Sequence, residues 1–179
     1  MPSPATPTLN ATTGIPTQDL HPQHPALGVV MAQGHHHVVA LEPVAAGREL
    51  LQIQGVLTET PHRYSVQVAA RLHVSPPADL RSDPQPDLYL WRYLNHACQP
   101  NAAVVGRGLI ALRDIAAGEE VTFDYNSNEY EIAEPFACHC GACGGRTIRG
   151  FKHLSVEEQA RLLPILAPHL VALMPVQVA

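Results

Sequence analysis

Lysine is nearly missing from this sequence: it occurs once, at position 152, and the 179 residues carry a formal net charge of −5. A protein that grips a nucleic-acid backbone normally displays a basic excess or stripe. The composition therefore argues against direct nucleic-acid binding and suits a basic protein partner. Aromatic side chains are also few, at 5 % of the chain. No apolar run reaches the about 20 residues that span a bilayer, and no charged segment followed by an apolar one opens the chain. These absences predict a soluble cytoplasmic protein without membrane contact. Only four cysteines are present, and without an export signal they are not expected to form a disulfide framework.

What is present divides the chain. Its length allows one domain with a buried core. Residues 1–25 are rich in Pro, Thr and Ala, with almost no large apolar side chain. Such a segment buries too little surface to offset its ordering entropy, which predicts a disordered tail. From Leu27 onward, "ALGVVMA", "HHVVALE", "ELLQIQGVLTE" and "RYSVQVAARLHV" are short β-branched runs broken by Gly47, Gly55 and prolines. Val66 and Val68 alternate with Ser65 and Gln67, the pattern of a half-buried strand. Residues 75–87 are a proline-rich loop, and "GLIALRDIAAGEEVTFDYN" (108–126) reads as strand, turn, strand, with Ala117-Gly118 at the turn. Ser155 and Glu158 are spaced as a capping box. The helix they open carries Leu162, Leu163, Leu166, Leu170 and Leu173 on an apolar face and is split by Pro164 and Pro168. No segment repeats. The fold class is mostly β with short helices.

The chemistry concentrates in one span. Of the nine aromatic residues, eight lie between Tyr89 and Phe151, as do all four cysteines. Cys138, Cys140 and Cys143 form C-x-C-x-x-C in "FACHCGACGG", a spacing suited to gripping a single zinc ion. A closed tetrahedral site needs a fourth donor, and the candidates are Cys98 in "RYLNHACQPN" and the neighbouring His139. Cys98 can also be read as a small buried residue. His35, His36 and His37 are consecutive, so on a strand they alternate faces. That predicts a solvated or locally packed trio in place of a metal cluster.

Three blocks then stand in order: "RYLNHACQPN" (92–101), "GEEVTFDY" (118–125) and "CHCGACGG" (138–145). Together they resemble the SET-domain protein lysine methyltransferases, and "PFACHCGACGG" with its trailing helix looks most like the small bacterial members. The resemblance covers about 27–153 and implies a β-clip-like SET fold with a knot-like threaded segment. The expected divisions are a tail (1–25), a SET domain (26–135), a post-SET zinc segment (136–153) and a helical tail (154–179). It implies S-adenosylmethionine as methyl donor and a lysine-containing protein, basic in character, as substrate. By the resemblance Cys98 joins Cys138, Cys140 and Cys143 in a four-cysteine zinc site, although the family has four residues before the last cysteine where this chain has two. Tyr125 matches the catalytic tyrosine, and Tyr64 matches in position a second tyrosine of the lysine channel. Arg92, Asn95 and His96 match the cofactor-binding segment, and Phe151 its post-SET aromatic contact. Asp124 is expected to orient the site, and Glu119 and Glu120 to be solvated turn charges. Phe123, two positions before Tyr125, matches a channel residue whose missing hydroxyl permits di- or trimethylation. The family's G-x-G loop is replaced here by His35–His37, which favours an alternative: a catalytically silent, zinc-stabilised SET-like module that binds protein.

Overall fold

The computed structural model describes residues 26–32, 34–78 and 89–174. The expected tail (1–25) and most of the proline-rich loop lie outside these residues. Two strands, β1 (Leu27–Ala32) and β2 (His35–Ala40), form an antiparallel hairpin in register Leu27↔Ala40 to Ala32↔His35. A three-stranded sheet joins β3 (Glu49–Gln52) to the hairpin of β8 (Ala102–Val105) and β9 (Gly108–Ala111), with β9 central. A second has β6 (Leu72–Ser75) between β4 (Val56–Thr58) and β5 (Val66–Ala69). Two short pairs complete the strands. β7 (Asn95–His96) runs parallel to β10 (Thr122–Phe123), and β11 (Phe136–Ala137) runs antiparallel to β12 (Thr147–Ile148).

The β-branched runs become strands that are covered on both faces over part of their length, since Val38–Ala40, Leu50 with Leu51, and Ala102–Val104 are buried in succession. Leu50, Leu51, Ile53, Val74, Leu109 and Trp91 are all at or below 2 % exposed. Each such side chain contributes about 1.5–3 kcal/mol through burial. The indole N–H of Trp91 donates to the Gln54 carbonyl at 3.1 Å, so the largest ring of the core leaves no donor unpaired. The 108–126 stretch is strand, turn, strand as expected, but its two strands serve different sheets. β9 pairs with β3 and β8, and β10 pairs with β7.

Gln67 departs from the half-buried reading of β5. It is 2 % exposed, and its side-chain amide donates to the carbonyls of Ala69 and Ala70 while its oxygen accepts the N–H of Tyr130. A polar side chain whose groups are all paired is buried without the penalty that would otherwise push it to solvent.

The capping box at Ser155 and Glu158 opens α1 (Val156–Leu162), and the two prolines separate it from α2 (Pro168–Val171). Leu166 and Leu170 are buried with Phe151 in a small second cluster, while Leu163 and Leu173 are exposed. The apolar face is thus narrower than the leucine spacing suggests. The 149–152 segment docks along 126–132 through Phe151 N–H to Glu129 C=O (2.8 Å) and Lys152 N–H to Tyr130 C=O (3.1 Å). This seats the C-terminal part directly behind Tyr125.

Candidate active site

The parallel pairing of β7 with β10 builds the centre of the site. It sets His96 opposite Phe123 and brings Tyr125 against the same segment, with Ala97 N–H donating to the Phe123 carbonyl at 3.1 Å. The Tyr125 hydroxyl donates to the Leu94 carbonyl at 2.5 Å, and its backbone N–H donates to His96 Nδ1 at 3.1 Å. Ring centroids of Phe123, His96 and Phe136 lie 4.7, 5.4 and 5.7 Å from that of Tyr125. Burial raises the Tyr125 pKa, and the nearby Glu129 carboxylate adds to it, so the phenol stays neutral. His96 is held neutral as well. Burial, then the charge of Arg146, lowers its pKa to about 4. Asp124 is buried, which raises its pKa against the two hydrogen bonds it accepts from Asn126. Its side chain caps the short turn that carries Tyr125, so the expected orienting role takes the form of a helix cap.

The expected cofactor segment meets the β1–β2 hairpin. The Asn95 amide donates to the His36 carbonyl (2.9 Å) and to Glu120 Oε1 (2.8 Å), and the same carboxylate oxygen lies 2.8 Å from His37 Nδ1. The His36 ring packs against Tyr93 with centroids 4.4 Å apart, and Arg92 donates to the Tyr93 hydroxyl at 2.5 Å. His36 and His37 are therefore locally packed, and His35 is exposed. Glu119 and Glu120 are not simply solvated. Glu119 accepts from Arg113, Asn101 and the Ala116 N–H, and chiefly the Arg113 bond holds its pKa down at about 2.

Two expected site residues, Tyr64 and Phe151, make other contacts. Tyr64 sits before β5, its N–H bonded to His62 Nδ1 and its ring 5.9 Å from the Arg63 guanidinium. Among the described residues it has no ring contact or hydrogen bond with Tyr125, Phe123 or His96. Phe151 is 3 % exposed and packs with Leu166 and Leu170. The ring that meets both His96 (5.9 Å) and Tyr125 is Phe136, which the sequence reading missed. Its signal was its place directly before the cysteine motif.

The four cysteine sulfurs converge, all within 4.8 Å of one another. Cys98 Sγ is 3.9 Å from Cys138 Sγ, and Cys140 Sγ is 4.0 Å from Cys143 Sγ. Zinc–thiolate bonds of about 2.3 Å put the edges of a tetrahedron at about 3.8 Å, so the cluster fits zinc in size and donor type. Cys98 completes it, and His139 is exposed outside it. Burial pushes the Cys138 thiol up to about 11, whereas the Cys98 backbone N–H, above all, draws Cys140 down to about 6. Gly141 and Gly144, at φ of 76° and 66°, turn the loop tightly around the sulfurs.

The sequence model of the SET domain matches residues 35–126. The chain belongs to the SET-domain family. That match covers β2 through Tyr125, and so includes the parallel β7–β10 pair and the rings of His96 and Phe123, while Phe136 lies beyond it. The chain is similar to a histone-lysine N-methyltransferase, H3 lysine-36 specific, of Yarrowia lipolytica, 50 % identical over 60 residues, 29 % of this chain and 8 % of that protein. A protein of the same description from Candida albicans is 41 % identical over 83 residues, 42 % of this chain and 10 % of that protein. The chain thus spans about a tenth of the length of the curated relatives it matches. Among solved structures, that of KRYPTONITE in complex with mCHG DNA and SAH aligns with a TM-score of 0.47 at 21 % identity, covering 65 % of this chain and 27 % of that one.

Proposed function

We propose that this SET domain transfers methyl groups from S-adenosylmethionine to the side-chain amine of a lysine in a basic protein, with a structural zinc held by Cys98, Cys138, Cys140 and Cys143. The observation that carries the reading is the packing of Phe123, His96 and Phe136 against the ring of Tyr125, whose hydroxyl is fixed on the Leu94 carbonyl. The hydroxyl hydrogen is committed to that carbonyl, which leaves the buried oxygen as an acceptor. An acceptor so placed favours a positively charged group at the reacting centre. The raised pKa of Tyr125 removes it as a general base at neutral pH. Loss of the substrate proton is instead favoured by burying the ammonium among rings, since desolvation lowers an amine's pKa. Alignment supplies much of the remaining acceleration.

The methyl donor supplies an electrophilic methyl on a sulfonium. Asn95, His96 and Arg92 are the residues that would hold it. The Asn95 amide oxygen accepts no hydrogen bond among the described residues, so it is available to an ammonium group. The net charge of −5 suits a basic substrate, and the names of the fungal relatives make a histone H3 tail the first peptide to test. One observation favours the silent protein-binding module. The Asn95 N–H₂ group is already occupied by the His36 carbonyl, in the stretch that replaces the family's glycines, and by the Glu120 carboxylate.

Calorimetric titration of the zinc-loaded chain with S-adenosylhomocysteine separates the two readings. Micromolar binding is expected, together with mass gain on a lysine peptide that Tyr125→Phe reduces at least about 100-fold at near-unchanged donor affinity. Absence of binding at millimolar donor would leave the silent module.

A further inference from the structure

His96 faces two sites at once. Its Nδ1 accepts the Tyr125 backbone N–H at 3.1 Å. A backbone amide is only ever a donor, so Nδ1 carries no proton and the neutral ring is protonated on Nε2. Asp124 Oδ1 lies 3.5 Å from the same Nδ1, beyond useful hydrogen-bond range, and already accepts two bonds from Asn126. Nε2 lies 3.3 Å from Cys98 Sγ. The imidazole is 1 % exposed, so water does not compete for either nitrogen.

We propose that His96 is a positioning residue that joins the metal site to the reacting centre: its Nε2–H donates to the Cys98 sulfur while its Nδ1 holds the backbone of Tyr125. This rests on the four-cysteine zinc site and the role of Tyr125 proposed above. A zinc ion bound by four thiolates carries a net charge of −2, and each N–H···S bond withdraws part of it. Backbone amides serve this purpose inside the cysteine loop, where the Cys140 N–H lies 3.4 Å from Cys138 Sγ. Cys98 comes from a different part of the chain, and the His96 side chain brings it a donor. The outer partners of metal ligands typically contribute 10–100-fold in metal affinity. A rigid ring bonded at both nitrogens also fixes the distance between ligand and tyrosine, so that metal loss loosens Tyr125.

Two substitutions separate the bonds. The carboxamide of Gln reaches the place of Nε2, and that of Asn the place of Nδ1. Zinc affinity of the full chain is measured by chelator competition without methyl donor, alongside the sulfur-to-metal charge-transfer band of the cobalt form. The Tyr125 amide proton is followed by NMR. His96→Asn should lose about 10–100-fold in zinc affinity, shift the cobalt band to lower energy and keep the Tyr125 amide signal. His96→Gln should retain affinity and band while the Tyr125 amide moves upfield. Equal effects of both variants on both readouts would reduce His96 to packing and overturn the proposal. Should either variant fail to fold, the parent's His96 ring nitrogens decide: a bare Nδ1 and a protonated Nε2 support the proposal, and the reverse overturns it. A parent that takes up no zinc overturns the zinc site and this proposal together. A parent that binds zinc with unchanged affinity in His96→Asn overturns this proposal alone.

Discussion

Single side chains decide what the enclosure around Tyr125 admits. Phe123 is 3 % exposed, its ring 4.7 Å from that of Tyr125. It adds bulk to the wall without a hydrogen-bonding group. A tyrosine at 123 would add a hydroxyl that must find a partner, and a water held there would occupy the space that a methylated amine needs to turn. Phe123→Tyr is therefore expected to shift products from di- and trimethyl-lysine toward monomethyl-lysine at long reaction times. Mass spectrometry of the product peptide reads this directly. Exclusive monomethylation by the parent, unchanged in the variant, would remove Phe123 from that role. The same scale explains why Phe136 escaped the sequence reading and Tyr125 did not. Tyr125 sits inside a motif, while Phe136 earns its place through a tertiary ring contact with His96, 40 positions earlier.

Between elements, the close approach of two segments matters more than any strand's own propensity. Gly150, at φ 105°, donates its N–H to Asn126 Oδ1 at 3.1 Å, and a Cβ there would meet the Tyr130 carbonyl oxygen at 2.7 Å and Glu131 Cα at 2.8 Å. Both obstacles are backbone and cannot swing aside. Gly150→Ala is expected to destabilise by about 2–4 kcal/mol, lowering Tm by roughly 4–16 °C. Thermal unfolding within about 1 °C of the parent would mean that the 149–152 segment does not dock as described. The capping box and the proline breaks were legible in the chain because they act over three or four residues. The burial of Gln67 was not, because its partner Tyr130 is 63 residues away. The pairing of His37 with Glu120, across 83 residues, was hidden for the same reason.

For the molecule as a whole, the cysteine cluster is, among the described residues, the place where a bound zinc ion would tie the core to the 136–153 segment. Removing zinc should release that segment first. Hydrogen exchange after chelation is expected to rise in 136–153 while β3, β8 and β9 stay protected. Uniform loosening of both regions would instead make the metal a global determinant of folding. The meeting of Cys98 with Cys138 was not written in local periodicity. Only the resemblance of three ordered blocks anticipated it, whereas the mostly β character followed from alternation and β-branching alone. The near-absence of lysine has its own use at this scale. Lys152, the single lysine, is ion-paired with Glu131, with its ammonium 5.9 Å from the Tyr130 ring centroid. In a reaction mixture the protein thus brings just one side-chain amine of its own. Self-modification would appear as one peptide bearing one to three added methyls, and a dye coupled to that amine would report on the joint where the 149–152 segment docks along 126–132.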